Sequence, residues 1–111
     1  MTIVRIWRGV TLATKAEQYL EYLNNFVVLP CQTAEGNEGL FILKELQGEI
    51  THFLMLSFWA SDEALENFAS ADYSDVVKLS PEEEKLLIAF ESTARHYKIV
   101  YASHYPIENK R

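Results

Sequence analysis

Arg5, Trp7, Trp59, Phe68, Tyr73 and His96 are the side chains in this sequence suited to holding an aromatic ligand and moving its proton. Histidine alone has an unperturbed pKa near working pH, which makes His96 the candidate proton acceptor. Arg5 and Trp7 alternate in IVRIW, residues 3–7, and so share one side of a strand with Ile3. A guanidinium on the side that faces helices needs an acceptor, either Asp72, Glu91 or an anionic ligand. Trp59, Phe68 and Tyr73 gather around SFWASDEALENFASADY, residues 57–73, where a strand passes into a helix. Trp59 has two readings there, a core plug at the helix entry or one wall of a pocket. His96 has two placements as well: beside residues 5–8 of the first strand, or turned toward a partner subunit with Tyr97 packed inward. Such a set offers an apolar aromatic cavity with one or two groups that bias a proton.

Metal chemistry has little support. His52, His96 and His104 show no helical i, i+4 spacing, and Cys31 is the single cysteine, so no internal disulfide and no zinc-type cluster is expected. No metal and no cofactor are therefore assigned. A formal net charge of −6 disfavours nucleic acid and anionic lipid as partners. MTIVRIWRG starts directly in strand-like alternation without a signal-peptide core, and no apolar run is long enough to cross a bilayer, so a cytoplasmic protein without membrane contact is expected.

The elements that must position these residues follow from the chain's punctuation. With 111 residues, 49% of them apolar, the chain fits one domain over residues 1–103, followed by an extension over 104–111. TIVRIWRGV, residues 2–10, reads as a strand. Thr14 and Glu17 form a capping box for a helix that Pro30 should stop. TAEGNEG, residues 33–39, is turn chemistry. Residues 40–46 and 50–59 form a hairpin about Gln47-Gly48-Glu49. Ser61 caps a second helix, and Ser80-Pro81-Glu82-Glu83 is a capping box for a third that runs to about Ser92. ARHYKIVYA, residues 94–102, is the closing strand. The order β-α-β-β-α-α-β predicts an α+β, ferredoxin-like antiparallel sheet with helices on one face.

The strand at 50–59 is apolar on both sides. His52, Leu54, Leu56 and Phe58 point one way, and Phe53, Met55 and Trp59 the other. A sheet with helices on one face and water on the other would alternate. A second copy of the sheet is the simplest cover, which predicts a homodimer through the sheet face; Arg8, Lys44 and Lys98 show that the neighbouring strands are less apolar.

RIWRG, GNEG, FLMLSFW running into ASDEALENFA, a proline-started acidic helix and a closing HYKIV together resemble the antibiotic biosynthesis monooxygenase superfamily of dimeric α/β-barrel proteins. The resemblance spans residues 3–101, and its most specific piece is Trp-x-Ser-x-x-Ala at 59–64. It implies a homodimer with a small pocket between sheet and helices in each subunit, which in characterised enzymes oxidises polycyclic phenols or quinols, or degrades haem. The working Asn, Trp and Tyr of the cofactor-free oxygenases fall on Met55, Trp59 and Leu65. The Asn, Trp and axial His of the haem-degrading branch fall near Trp7, Phe68 and Lys78, which disfavours haem. The expectation is a cofactor-independent monooxygenase-like protein acting on a small aromatic phenol or quinol. The alternative is a non-catalytic ligand-binding or structural protein of the same fold.

Overall fold

The computed structural model describes residues 2–69 and 77–103; Asp72, Tyr73 and the 104–111 extension lie outside them. Strand β1, Ile3–Leu12, is the centre of a five-stranded antiparallel sheet. It pairs with β3, Ile50–Trp59, in unbroken register from Ile3 opposite Trp59 to Leu12 opposite Ile50. β2, Asn37–Gln47, flanks β3 on the outside. The other neighbour of β1 comes in two pieces, β4 over Leu87–Phe90 and β5 over Arg95–Lys98. Both pair with β1, and residues 91–94 bulge between them.

Register assigns the faces, because residues directly opposite in an antiparallel pair point the same way. Ile3, Arg5 and Trp7 lie opposite Trp59, Ser57 and Met55, and Arg5 also lies opposite His96. That side carries the helices. Tyr19 and Leu23 of α1, Ala16–Leu23, pack with Phe53 and Leu86 in one core cluster, and Ile3, Cys31, Trp59 and Leu65 form a second. Trp59, Tyr19 and Phe53 are fully buried, and each such aromatic contributes roughly 1.5–3 kcal/mol of transfer free energy. The opposite side presents Val4, Ile6, Leu54, Leu56, Phe58, Phe41 and Tyr97. The register places Lys44 opposite Phe53 and Lys98 opposite Ile3, so both lie on the helix-facing side; of the three cations that mark the neighbouring strands, only Arg8 remains on the open one.

Several elements differ from the sequence expectation. Leu12 and Lys15 flank the first helical turns without any side-chain cap, so the Thr14–Glu17 box does not form; a short 3-10 turn over Ala13–Lys15 leads into α1 instead. Pro30 does not end the helix. A π-helical turn at Asn24–Val28 precedes it, and Pro30 sits in the first turn of α2, Leu29–Thr33. The wider turn spreads the carbonyls against which a proline ring would otherwise clash, and the first turn needs no N–H from it. The helix from Pro81 ends at Leu86 rather than near Ser92: residues 87–90 leave as β4 and pair with Gly9–Thr11, which gives the otherwise open edge of β1 its backbone partners. The last strand is accordingly split, and its second half is shorter than residues 94–102.

Ser61 and Ser80 both cap as expected. Ser61 Oγ accepts from the Ala64 N–H at 3.1 Å at the start of α3, Asp62–Ala69, and Ser80 Oγ accepts from the Glu83 N–H at 3.1 Å at the start of α4, Pro81–Leu86. Gly36 holds the loop before β2 against α3. Its φ of 86° suits glycine, and a Cβ there would collide with Ala64.

Candidate functional site

A cavity of about 260 Å³ opens between the sheet and the helices, lined from β1 by Arg5 and Trp7, from β3 by Met55 and Ser57, and from the helical side by Phe68 and Glu83. Alternation in β1 places Arg5 and Trp7 there together. The Trp7 indole lies along the sheet over Gly9, where a Cβ would sit 3.0 Å from the ring. Its Nε1–H donates to the Glu91 carbonyl at 2.6 Å. The bulge between β4 and β5 therefore has a use: it turns a carbonyl toward the tryptophan. Phe90 packs on the same ring at a centroid distance of 6.3 Å.

His96 faces the helix side, across from Arg5, with Tyr97 on the open face. Arg5 Nη1 lies 2.9 Å from His96 Nε2. A guanidinium only donates, so Nε2 accepts and the imidazole proton in this arrangement is on Nδ1. Of the acceptors expected for Arg5, Glu91 is instead 3.9 Å from Arg8, in an exposed pair.

Trp59 lies one layer behind the cavity. It is fully buried, its Nε1–H donates to Ser57 Oγ at 2.9 Å, and its ring lies 4.7 Å from that of Phe68. Ser57 and Phe68 both line the cavity, so Trp59 fixes two of its walls without forming one. The structure thus brings Arg5, Trp7 and Phe68 to one space, with His96 attached through Arg5 and Trp59 behind. Tyr73 is outside the described residues.

Sequence reasoning missed Glu83. It reads as the acidic member of a capping box, whose side chain would reach back to the Ser80 N–H. Here its backbone is capped by Ser80, while its carboxylate turns inward and accepts from Tyr19 Oη at 2.8 Å. Only 8% of Glu83 is exposed, although it borders the cavity. Burial pushes its pKa above the ordinary carboxylate range, and hydrogen bonds from Tyr19 and Tyr22 pull it partly back. Burial and the Glu83 charge push the Tyr19 phenol up as well, so Tyr19 stays a neutral donor. The available signal was the helical spacing of Tyr19 and Tyr22, which sets two hydroxyls near one face of a short acidic helix.

Cys31 borders the cavity too, buried, with Asn37 Nδ2 3.3 Å from its sulfur. Burial pushes its thiol pKa up, away from the thiolate that a nucleophile requires.

No protein-family model matches the chain, and no curated protein does. Solved structures do. A Bacillus cereus protein described as a candidate antibiotic biosynthesis monooxygenase shares 13% identity at a TM-score of 0.66, covering 94% of this chain and 98% of that one. A cofactor-independent oxygenase from Streptomyces nogalater, solved as a mutant, shares 13% identity at a TM-score of 0.58 over 95% of this chain and 97% of its own. A haem-degrading protein from Mycobacterium tuberculosis, solved free of haem, shares 20% identity at 0.58 over 94% of this chain and 100% of its own. The chain has an α+β, ferredoxin-like fold, which it shares with these structures.

Haem does not fit the residues present. Among the described residues the cavity lining includes no histidine. Lys78 borders it near where the resemblance puts the axial ligand.

Proposed function

We propose that the chain is a cofactor-independent monooxygenase-like protein that takes a small aromatic phenol or quinol into the cavity between sheet and helices. The observation that supports this reading is the pairing of aromatic walls, Trp7 and Phe68, with a hydrogen-bonded cation, Arg5, in one cavity. The phenolic oxygen lies against Arg5. As the guanidinium turns from His96 Nε2 onto that oxygen, the histidine is released to take the phenol proton. Arg5 then stabilises the phenolate, which is the electron-rich species able to reduce dioxygen. All electrons come from the substrate; one oxygen atom enters it and the other leaves as water. Trp59 acts from behind by holding Ser57 and Phe68.

The test is dioxygen uptake with a panel of quinols and anthrones. Saturable uptake that falls at least about tenfold in Arg5→Met and in His96→Gln is expected, because each removes a group that favours the phenolate. Uptake indistinguishable from the protein-free rate would overturn the oxygenase reading.

A second reading, binding without turnover, is favoured by two positions. Met55 lines the cavity and Leu65 is fully buried where the resemblance places a working Asn and Tyr, so neither hydrogen-bonding group is there. Quenching of Trp7 fluorescence by an aromatic ligand without oxygen uptake would select this reading.

The proposal includes a second copy of the chain covering the open sheet face. Leu43, Tyr97 and Leu12 are 48%, 49% and 42% exposed on that face, next to Phe41 and Phe58, a contiguous apolar surface of the kind monomers seldom expose. His52 Nδ1 is buried there with no partner among the described residues. No helix among the described residues is long and apolar enough to cross a membrane, and a cytoplasmic location goes with the proposal.

A further inference from the structure

We infer that Glu83 is the specificity-determining residue at the far end of this cavity, accepting a hydrogen bond from a hydroxyl or amino group placed on the aromatic ring opposite the oxygen that Arg5 holds. This inference rests on the proposed reading of the cavity and adds a second polar contact to it.

The geometry comes from the strands. Arg5 enters the cavity from the row it shares with Ser57. Glu83 is held by Tyr19, whose ring packs edge-on against Phe53 with centroids 5.1 Å apart. Phe53 lies four residues before Ser57 on the same side of β3, which separates the two rows by roughly 13 Å of backbone. The cation and the carboxylate therefore enter the cavity from different rows, with Trp7 and Met55 on the row between. A ligand that carries an acceptor or oxyanion at one end and a donor at the other satisfies both. One that carries an ether at the Glu83 end leaves a buried carboxylate facing a second acceptor, which costs more than merely losing a bond.

Glu83 is also built for this role. Tyr19 Oη occupies Oε2 and fixes the carboxylate direction, and Ser80, itself 2.8 Å from Tyr22 Oη, anchors the turn from which Glu83 projects. The titratable and charged groups facing Glu83 are Tyr19 and Tyr22 of α1, with Arg5 of β1 and Lys78 on the cavity lining. The raised proton affinity of the carboxylate strengthens it as an acceptor.

Para-substituted benzoates give stable probes whose orientation is set by charge, since the carboxylate seeks Arg5 and is repelled by Glu83. Binding is read by Trp fluorescence on the full chain. The expected result is that 4-hydroxybenzoate and 4-aminobenzoate bind about tenfold more tightly than 4-methoxybenzoate, the scale of a hydrogen bond to a charged acceptor. Glu83→Gln should bring that ratio to about threefold or less, because a neutral amide accepts more weakly. Wild-type protein provides an independent measurement that needs no substitution: the ratio should shrink as falling pH protonates Glu83, beginning above the ordinary carboxylate range. A ratio near one in the wild type, or one that survives both Glu83→Gln and acidification, overturns the inference while benzoate binding itself stays intact. The cavity reading fails separately, and the inference with it, if no benzoate binds or if Arg5→Met leaves benzoate binding untouched.

Discussion

Replacing Tyr19 with phenylalanine isolates the one buried hydrogen bond that couples the cavity to the core. The ring would keep its edge-on contact with Phe53 and its stacking on Tyr22, so packing changes little and the missing hydroxyl is the variable. That hydroxyl donates to Glu83 Oε2 at 2.8 Å, between a fully buried residue and one 8% exposed. Glu83 has a folded-state pKa raised by burial, so the folded chain holds a proton that the unfolded chain has already released. Its contribution to stability is therefore fully present below the unfolded value and is lost as pH rises through the folded one. Tyr19 opposes that loss by favouring the carboxylate. In Tyr19→Phe the carboxylate has one donor fewer, its pKa moves further up, and the loss deepens. At about pH 8 the substitution should cost about 2 kcal/mol, the scale of a bond to a charged acceptor, and at about pH 4 only about 1 kcal/mol, that of a neutral pair. Urea unfolding followed by tryptophan fluorescence, at one fixed protein concentration, measures both. Equal costs at the two pH values would refute the assignment of Glu83 as a buried carboxylate held by Tyr19.

Ser80→Ala removes the α4 cap and a partner of Tyr22 and should lower stability by about 1–2 kcal/mol, above a simple cap deletion of about 1 kcal/mol, as read by the same unfolding curves. Trp59→Phe should cost about 1–3 kcal/mol as a shape change in a filled core, and should weaken aromatic ligand binding indirectly, because Ser57 and Phe68 lose their support; an unchanged stability would mean that the indole is not packed as described. Sedimentation at micromolar concentration should show a dimer, and a well-folded monomer would remove the covered-sheet proposal.

The fold was legible where one residue pattern left a single physical solution. β3 is apolar on both sides, and its odd residues do face the helices while its even residues form the open face. The serine caps at 61 and 80 were readable because a hydroxyl before a helix has few better partners than the free N–H groups. Local signals failed where tertiary pairing competed with them. Leu87–Phe90 continues a good helix on paper, yet β1 offers it a ladder of backbone partners. Pro30 is a helix stop on paper, yet a π turn placed just before it removes the clash.

The site was legible by alternation and illegible by capping. Strand alternation puts Arg5 and Trp7 on one side whatever the rest of the chain does, and antiparallel register then brings His96 opposite Arg5. Alternation is local to the strand and needs no structure, whereas the register is not readable from the chain, which is why the sequence leaves His96 two placements and the pairing with Arg5 decides between them. Glu83 is different, because one residue serves two demands through separate groups: its N–H is capped by Ser80 while its carboxylate goes to Tyr19. A capping-box motif reports the first and mistakes the destination of the second. What turns the carboxylate inward is the position of α1 over Phe53, a contact between residues 34 apart in sequence, which no local pattern encodes. Trp59 shows the reverse case. Its indole N–H has a partner two residues away, Ser57, so it can be buried completely and remain satisfied, and a tryptophan that needs no ligand to complete its hydrogen bonding is free to serve the cavity as its backing.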